Sequence, residues 1–176
     1  MKKAVFLDRD GVINEVLTSR VKFVNKPSEL YFLPGVEDAI KSLNEHFDYV
    51  FVVTNQGGIG LGYMSEKQLH KIHDHMVTQL KKKGAIIHDV AYCPHKPKTG
   101  CACRKPNSKM ILDLGKKYHI NLEKSYMVGD MDTDIQAGNK AGTRTVFIGE
   151  SDPLADAVCA DLKEAAQWII NEVSKE

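Results

Sequence analysis

Short apolar runs alternate with amphipathic stretches along this chain, and few folds accommodate that alternation. Ala4 to Leu7, Tyr49 to Val53, Ile86 to Tyr92, Tyr126 to Val128 and Thr145 to Ile148 are dominated by β-branched and aromatic residues, and each meets a turn or polar cluster. Such runs read as buried strands. Helical patterns separate them. The clearest begins at Ser65, where Ser65-Glu66-Lys67-Gln68 offers a capping box and Leu69, Ile72, Met76 and Leu80 recur at helical spacing until Gly84. Others fit Val36 to Asn44, Lys109 to Tyr118, Thr133 to Ala141 and Leu162 to Val173. Strand, helix, strand in this order predicts an α/β fold, a central parallel sheet with helices on both faces.

A length of 176 residues suits one domain, 1–176, and no repeat, biased segment or long linker divides it. The formal charge of +1 supplies no field for nucleic acid or anionic lipid, so no partner of either kind is expected. The first apolar run stops at a charged triplet, far short of a signal peptide or a spanning segment, and a cytoplasmic location is the expectation. No heptad or long apolar edge demands a second copy, which points to a monomer.

Open parallel sheets bind ligands beyond the carboxyl ends of their strands, and three clusters fall there. Asp8 and Asp10 follow the first run, Thr54 to Gly58 follow the second, and Asp130 and Asp134 follow the fourth. Carboxylates gathered from two strands repel one another unless a cation lies between them. Mg²⁺, a hard ion with oxygen ligands, meets that need. The hydroxyl, amide side chains and glycine N–H groups of Thr54, Asn55, Gln56, Gly57 and Gly58 can cradle a phosphate, and Lys105 can neutralise its remaining charge. The inferred substrate is a phosphate ester.

Between Cys93 and Cys103 the chain gathers softer ligands. Cys93, His95, Cys101 and Cys103 supply three thiolates and an imidazole, which close a tetrahedral Zn²⁺ and leave no exchangeable position. The site is therefore structural, and the metal can contribute on the order of 10 kcal/mol to ordering a loop that lacks a core of its own. Arg104 and Lys105 follow the last ligand, so the zinc reads as a brace that holds both cations over the phosphate. Surface thiols, or Cys101 and Cys103 as a redox pair, are the plainer alternative. A zinc-loop module that binds nucleic acid without catalysis is the competing functional class, and the balanced charge counts against it.

Taken together, DxDGV, then TN, a lysine and GDxxxD resemble the haloacid dehalogenase superfamily of phosphatases over Lys3 to about Val173. The strings FLDRDGVIN, TNQ, CPH, CxCRKP and MVGD are similar to its branch of heptose bisphosphate and histidinol phosphate phosphatases. The resemblance implies a Rossmann-like three-layer sandwich without a large cap domain. It implies that Asp8 is the nucleophile that forms an aspartyl-phosphate, and that Asp10 is the general acid and base, its side chain free to swing toward the ester oxygen. By the same likeness Asp8, Asp10 and Asp130 bind Mg²⁺, Asp10 through its backbone carbonyl, with Asp134 an outer partner. Thr54, Asn55 and Lys105 would stabilise the phosphoryl oxygens. Met131 departs from the branch, whose heptose members tend to carry Lys there.

Residues Asn14 to Leu33 leave room only for a small flap, and Pro94 to Ala102 for a rim, so an open mouth is expected. Arg104, Lys96, Lys98, Arg20 and Lys22 lean the substrate toward the 7-phosphate of a heptose 1,7-bisphosphate, with histidinol phosphate as the alternative. His70, His73 and His75 read as a solvated helix face, Trp168 as a packing residue of the last helix, and Cys159 as a small buried side chain.

Overall fold

The structure, a computed structural model, describes residues 1–176. Six parallel strands form one sheet: β1 (Ala4–Leu7), β2 (Tyr49–Asn55), β3 (Asp89–Cys93), β4 (Tyr126–Gly129), β5 (Arg144–Ile148) and β6 (Ala157–Cys159). Their spatial order is β3-β2-β1-β4-β5-β6. The helices are α1 (Val36–His46), α2 (Glu66–Lys82), α3 (Lys109–Tyr118), α4 (Asp132–Ala141) and α5 (Leu162–Val173). This is the expected Rossmann-like three-layer arrangement, without a large cap. No helix is long and apolar enough to cross a membrane.

Successive strand residues face opposite layers, and the core divides accordingly. Val5, Leu7, Val50 and Val52 pack with α1, α2 and α5, whereas Ala4, Phe6, Phe51 and Val53 pack with α3 and α4. Full burial of β1 explains its unbroken apolar run, since a strand covered on both faces has no polar side to show.

Two departures from the sequence-based expectations, at β3 and β6, have local causes. The third strand begins at Asp89, not Ile86, because side chains replace its ladder: Asn44 pairs with both peptide groups of Ile86, and the Val50 N–H donates to His88 Nδ1 at 3.0 Å. The short edge strand β6 escapes a pattern argument, since three residues with Val158 exposed show no period. The flap, residues 14–33, holds only a single 3₁₀ turn at Pro27–Glu29, yet it is anchored. Val21, Val24 and Leu30 reach the core while Leu17 and Phe23 stand in solvent.

The chain runs outward from β1 through β2 to β3, then returns to the other side of β1 with β4. That reversal opens a crevice beyond the ends of β1 and β4, where side chains from both can meet.

Candidate active site

Leu7 pairs with Val128, so the residues just past β1 and β4 emerge side by side. Asp8, Asp130 and Asp134 bring one carboxylate oxygen each within 4.8 Å of one another. Two glycines permit this approach. A Cβ on Gly11, whose φ is +83°, would sit 1.9 Å from Asp130 Oδ2, and one on Gly129 would sit 2.1 Å from the Asp134 Cβ. The glycines in DxDG and GD are thus steric requirements of the carboxylate cluster.

Lys105 closes the floor. Its ammonium donates to Asp8 Oδ1 at 2.9 Å, to Asp134 Oδ1 at 2.5 Å and to the Val53 carbonyl at 2.9 Å, which uses all three of its protons. One ammonium among three carboxylates leaves negative charge uncompensated. Burial, reinforced by Asp134, accordingly raises the Asp8 carboxyl well above its ordinary range, and the same two causes push Asp130 up to about 6. Asp130 Oδ1 is buried with no hydrogen-bond partner. An orphaned carboxylate oxygen in an over-negative cluster of hard donors suits a divalent cation such as Mg²⁺.

Asp10 sits apart from this cluster, and its side chain is held where the sequence reading had it free to swing. Arg9 Nε and Nη2 donate to Asp10 Oδ1 at 3.1 and 2.8 Å, and Asn14 Nδ2 adds a third bond at 2.9 Å. Burial opposes its charge, but Arg9 and these donors outweigh that cost and hold the carboxyl below its ordinary value.

The residues at and just past the end of β2 do more structural work than expected. Asn55 brackets the peptide of Lys105, accepting from its N–H at 3.0 Å and donating to its carbonyl at 3.2 Å. Gln56 Nε2 donates to Thr54 Oγ1 at 2.8 Å and reaches Asp10 Oδ2 at 3.3 Å. Arg104 lines the cavity of about 540 Å³ that also holds Asp8, Asp10, Lys105 and Asp130, and its Nη1 donates to the His95 carbonyl at 3.3 Å. A second cavity of about 570 Å³ adjoins the first at Asp10, Phe23 and Asn55 and carries Lys22. Lys98 lines the first cavity. Arg20, by contrast, is engaged by Glu15 and stacks on Tyr31 at 3.9 Å, so it is no rim cation.

The four soft ligands converge. His95 Nδ1 lies 3.3 Å from Cys93 Sγ and 3.2 Å from Cys103 Sγ, Cys93 and Cys101 sulfurs are 3.6 Å apart, and no disulfide forms. A tetrahedron with Zn–S of about 2.3 Å has edges of roughly 3.5–3.8 Å; the Cys93–Cys101 separation falls in that range, the two histidine contacts are slightly shorter, and the Cys93 and Cys103 sulfurs are closer still, at 2.9 Å. Cys93 is fully buried, and burial together with Cys103 pushes its thiol up to about 12, so a thiolate there needs a cation at its sulfur. The knuckle also leans on the phosphate loop: Gln56 N–H donates to the Cys93 carbonyl at 2.8 Å and Gly60 N–H to the Pro94 carbonyl at 2.9 Å.

One of the three histidines of α2 departs from the expected solvated face. His73 is not on a solvated face; it is buried, with Nε2 3.1 Å from Arg9 Nη1. Its position one residue after Ile72 and four after Leu69 put it on the apolar side of α2, a signal the sequence does carry. His70, on the same helix, meets the Tyr92 hydroxyl at 3.0 Å. Arg9, fully buried beneath the two aspartates, is the site residue that sequence reasoning missed. Cys159 is buried and Trp168 packs against the core, as expected.

Residues 102–174 match the HAD-hydrolase-like family model. The chain is 36% identical over 174 residues to a D-glycero-beta-D-manno-heptose-1,7-bisphosphate 7-phosphatase of Rhodopseudomonas palustris, covering 94% of each chain. It is 35% identical over 171 residues to a D-glycero-alpha-D-manno-heptose-1,7-bisphosphate 7-phosphatase of Photorhabdus laumondii, covering 90% of this chain and 91% of the other. Among solved structures it is similar to the D,D-heptose 1,7-bisphosphate phosphatase of B. bronchiseptica complexed with magnesium and phosphate. That superposition has a TM-score of 0.86 at 34% identity and covers 97% of this chain and 99% of that one.

Proposed function

Because the chain belongs to the haloacid dehalogenase-like hydrolases, among the heptose 1,7-bisphosphate 7-phosphatases, we propose that it removes the 7-phosphate of D-glycero-D-manno-heptose 1,7-bisphosphate. The observation that carries the chemistry is the buried carboxylate cluster with its single ammonium and its unpartnered Asp130 oxygen. Asp8 is the nucleophile. Its Oδ1 is tied to Lys105 Nζ and to the Arg9 N–H, both at 2.9 Å, which leaves Oδ2 without a protein donor and available to attack phosphorus. As the P–O bond to the sugar breaks, Asp10 gives its proton to the departing alkoxide. Water then loses a proton to Asp10 and attacks the aspartyl-phosphate, which releases inorganic phosphate and restores Asp8.

Magnesium, held by the Asp8 and Asp130 side chains and the Asp10 backbone carbonyl, would supply the positive charge that these carboxylates and the phosphate lack. Asp134 acts from outside that shell by fixing Lys105. Asp10 is ionised in the free protein, and the doubly negative phosphate arriving beside it raises its proton affinity, so substrate binding itself loads the general acid. Asn55 and Arg104 line the cavity on the phosphate side, Gln56 lines the adjoining one, and the buried Thr54 supports them through its bond with Gln56. Lys98 at its wall and Lys22 in the adjoining cavity suit a substrate with a second phosphate. Cys93, His95, Cys101 and Cys103 would hold a structural zinc, and one domain spans 1–176, working as a cytoplasmic monomer on a small phosphorylated sugar.

The test is phosphate release with Mg²⁺ and with EDTA from heptose 1,7-bisphosphate, histidinol phosphate and a 3′-phosphorylated oligonucleotide. The heptose ester should react fastest, and only with Mg²⁺. Faster turnover of histidinol phosphate would overturn the substrate assignment, and undiminished rates in EDTA the metal assignment.

A further inference from the structure

We propose that His73 is a positioning residue for proton transfer, fixing Arg9 so that Asp10 turns a single oxygen, Oδ2, to the leaving group; the proposal rests on the phosphatase reading above. Every nitrogen of a guanidinium is a donor, so the 3.1 Å contact of Arg9 Nη1 with His73 Nε2 makes the imidazole the acceptor, neutral and protonated on Nδ1. Burial, and after it the Arg9 charge, pushes His73 down to about 3, in keeping with that state. The rest of the guanidinium forks Asp10 Oδ1, which also accepts from Asn14. Three donors occupy Oδ1. Oδ2 meets only the long 3.3 Å contact from Gln56, so it is the oxygen left to carry a proton.

Arg9 has no exposed surface, so solvent does not replace the imidazole if it is removed. Its Nη1 would then lack a partner, a costly state for a buried cation, and the guanidinium would turn to find one. Asp10 would lose its fixed rotamer while the Asp8 cluster and the phosphate loop, which His73 does not touch, stayed in place. The defect should therefore appear where the leaving group needs a proton.

His73→Phe and His73→Gln in the magnesium-loaded, full-length protein test this on two esters: heptose bisphosphate, whose alkoxide must be protonated, and p-nitrophenyl phosphate, whose phenolate departs unaided. Gln places an acceptor oxygen near the Nε2 position. Because Asp10 also serves as base in the hydrolysis step that both esters share, the comparison is made in kcat/KM, which reports formation of the aspartyl-phosphate: the Phe variant should lose about 10-fold or more on the sugar ester and less than about 3-fold on the aryl ester, and Gln should recover most of the loss. Equal losses on both esters, no loss, or a Gln variant no better than Phe would overturn the proposal. If the Phe variant does not fold, nitrogen-15 NMR of the wild-type histidines decides: a proton on Nδ1 of His73 supports it and a proton on Nε2 overturns it. A wild-type protein that cleaves neither ester defeats the phosphatase reading, and the NMR result still rules on the His73–Arg9 contact.

Discussion

Two ligand clusters lie on either side of Lys105, and they are built in opposite ways. The carboxylate floor takes its members from the ends of β1 and β4 and from the first turn of α4, so the sheet itself fixes Asp8 and Asp130, and charge is left over when the protein has finished folding. The sulfur knuckle takes all four ligands from eleven consecutive positions, 93–103, most of them on a loop without a hydrophobic core, and it is complete in itself. A rigid frame with unmet charge can bind and release a substrate. A closed ligand set on a weak frame can only hold a shape. The floor should thus fail in catalysis while the fold survives, and the knuckle should fail in local order first.

The largest effect belongs to the floor. Asp8→Asn should lower kcat by roughly three orders of magnitude or more if, as proposed, Asp8 is the group that forms the acyl-phosphate. Its melting temperature should match or exceed that of the metal-free parent, since the substitution removes a charge that burial and Asp134 disfavour. Steady-state kinetics beside thermal melting checks both halves. An active Asp8→Asn protein would erase the distinction between the regions.

Next comes Gly11→Ala, a change that adds one methyl group. At φ +83° the alanine would cost about 1–3 kcal/mol in backbone strain, and its Cβ would collide with Asp130 Oδ2. We expect lower stability together with a marked fall in magnesium affinity, measurable by titrating activity against the metal. Lost stability with unchanged magnesium dependence would mean that the cluster does not need the close approach.

Removing zinc should have a smaller and different effect. Chelation, or Cys101→Ser, should loosen residues 94–104 and raise KM several-fold through Arg104, while the circular dichroism of the sheet stays unchanged. Elemental analysis should give one zinc per chain before treatment, and hydrogen exchange confined to the loop should report its loss. Global unfolding on chelation would show that the knuckle supports the sheet as well.

The contrast also explains what could be read from the sequence. The floor was legible because each acidic motif sits directly after an apolar run, so strand order and chemistry are written in adjacent residues. The knuckle was legible because its ligands are close along the chain. Contacts between distant segments were not: Arg9 and His73 are 64 positions apart, and nothing local distinguishes a buried guanidinium from a solvated one. Asn55 shows the same limit. Its motif suggests a phosphate ligand, yet its amide grips the peptide of Lys105, 50 residues away.

That grip makes Asn55 the seam between the two regions and motivates the mildest perturbation. Lys105 follows the knuckle by two residues in sequence but delivers its ammonium to the floor, and the Asn55 amide fixes where its backbone crosses. Asn55→Ala deletes both bonds, at about 0.5–1.5 kcal/mol each, and leaves the Lys105 ion pairs with Asp8 and Asp134 in place. If the amide serves chiefly as a clamp, stability should fall by that amount, KM should rise a few-fold, and zinc removal in the variant should add little further loss, because the link that conveys the knuckle's order is already cut. If it serves chiefly as a phosphate ligand, the variant should lose affinity for inorganic phosphate, and zinc removal should add its full effect. A double-mutant cycle with Cys101→Ser, read as KM, separates the two.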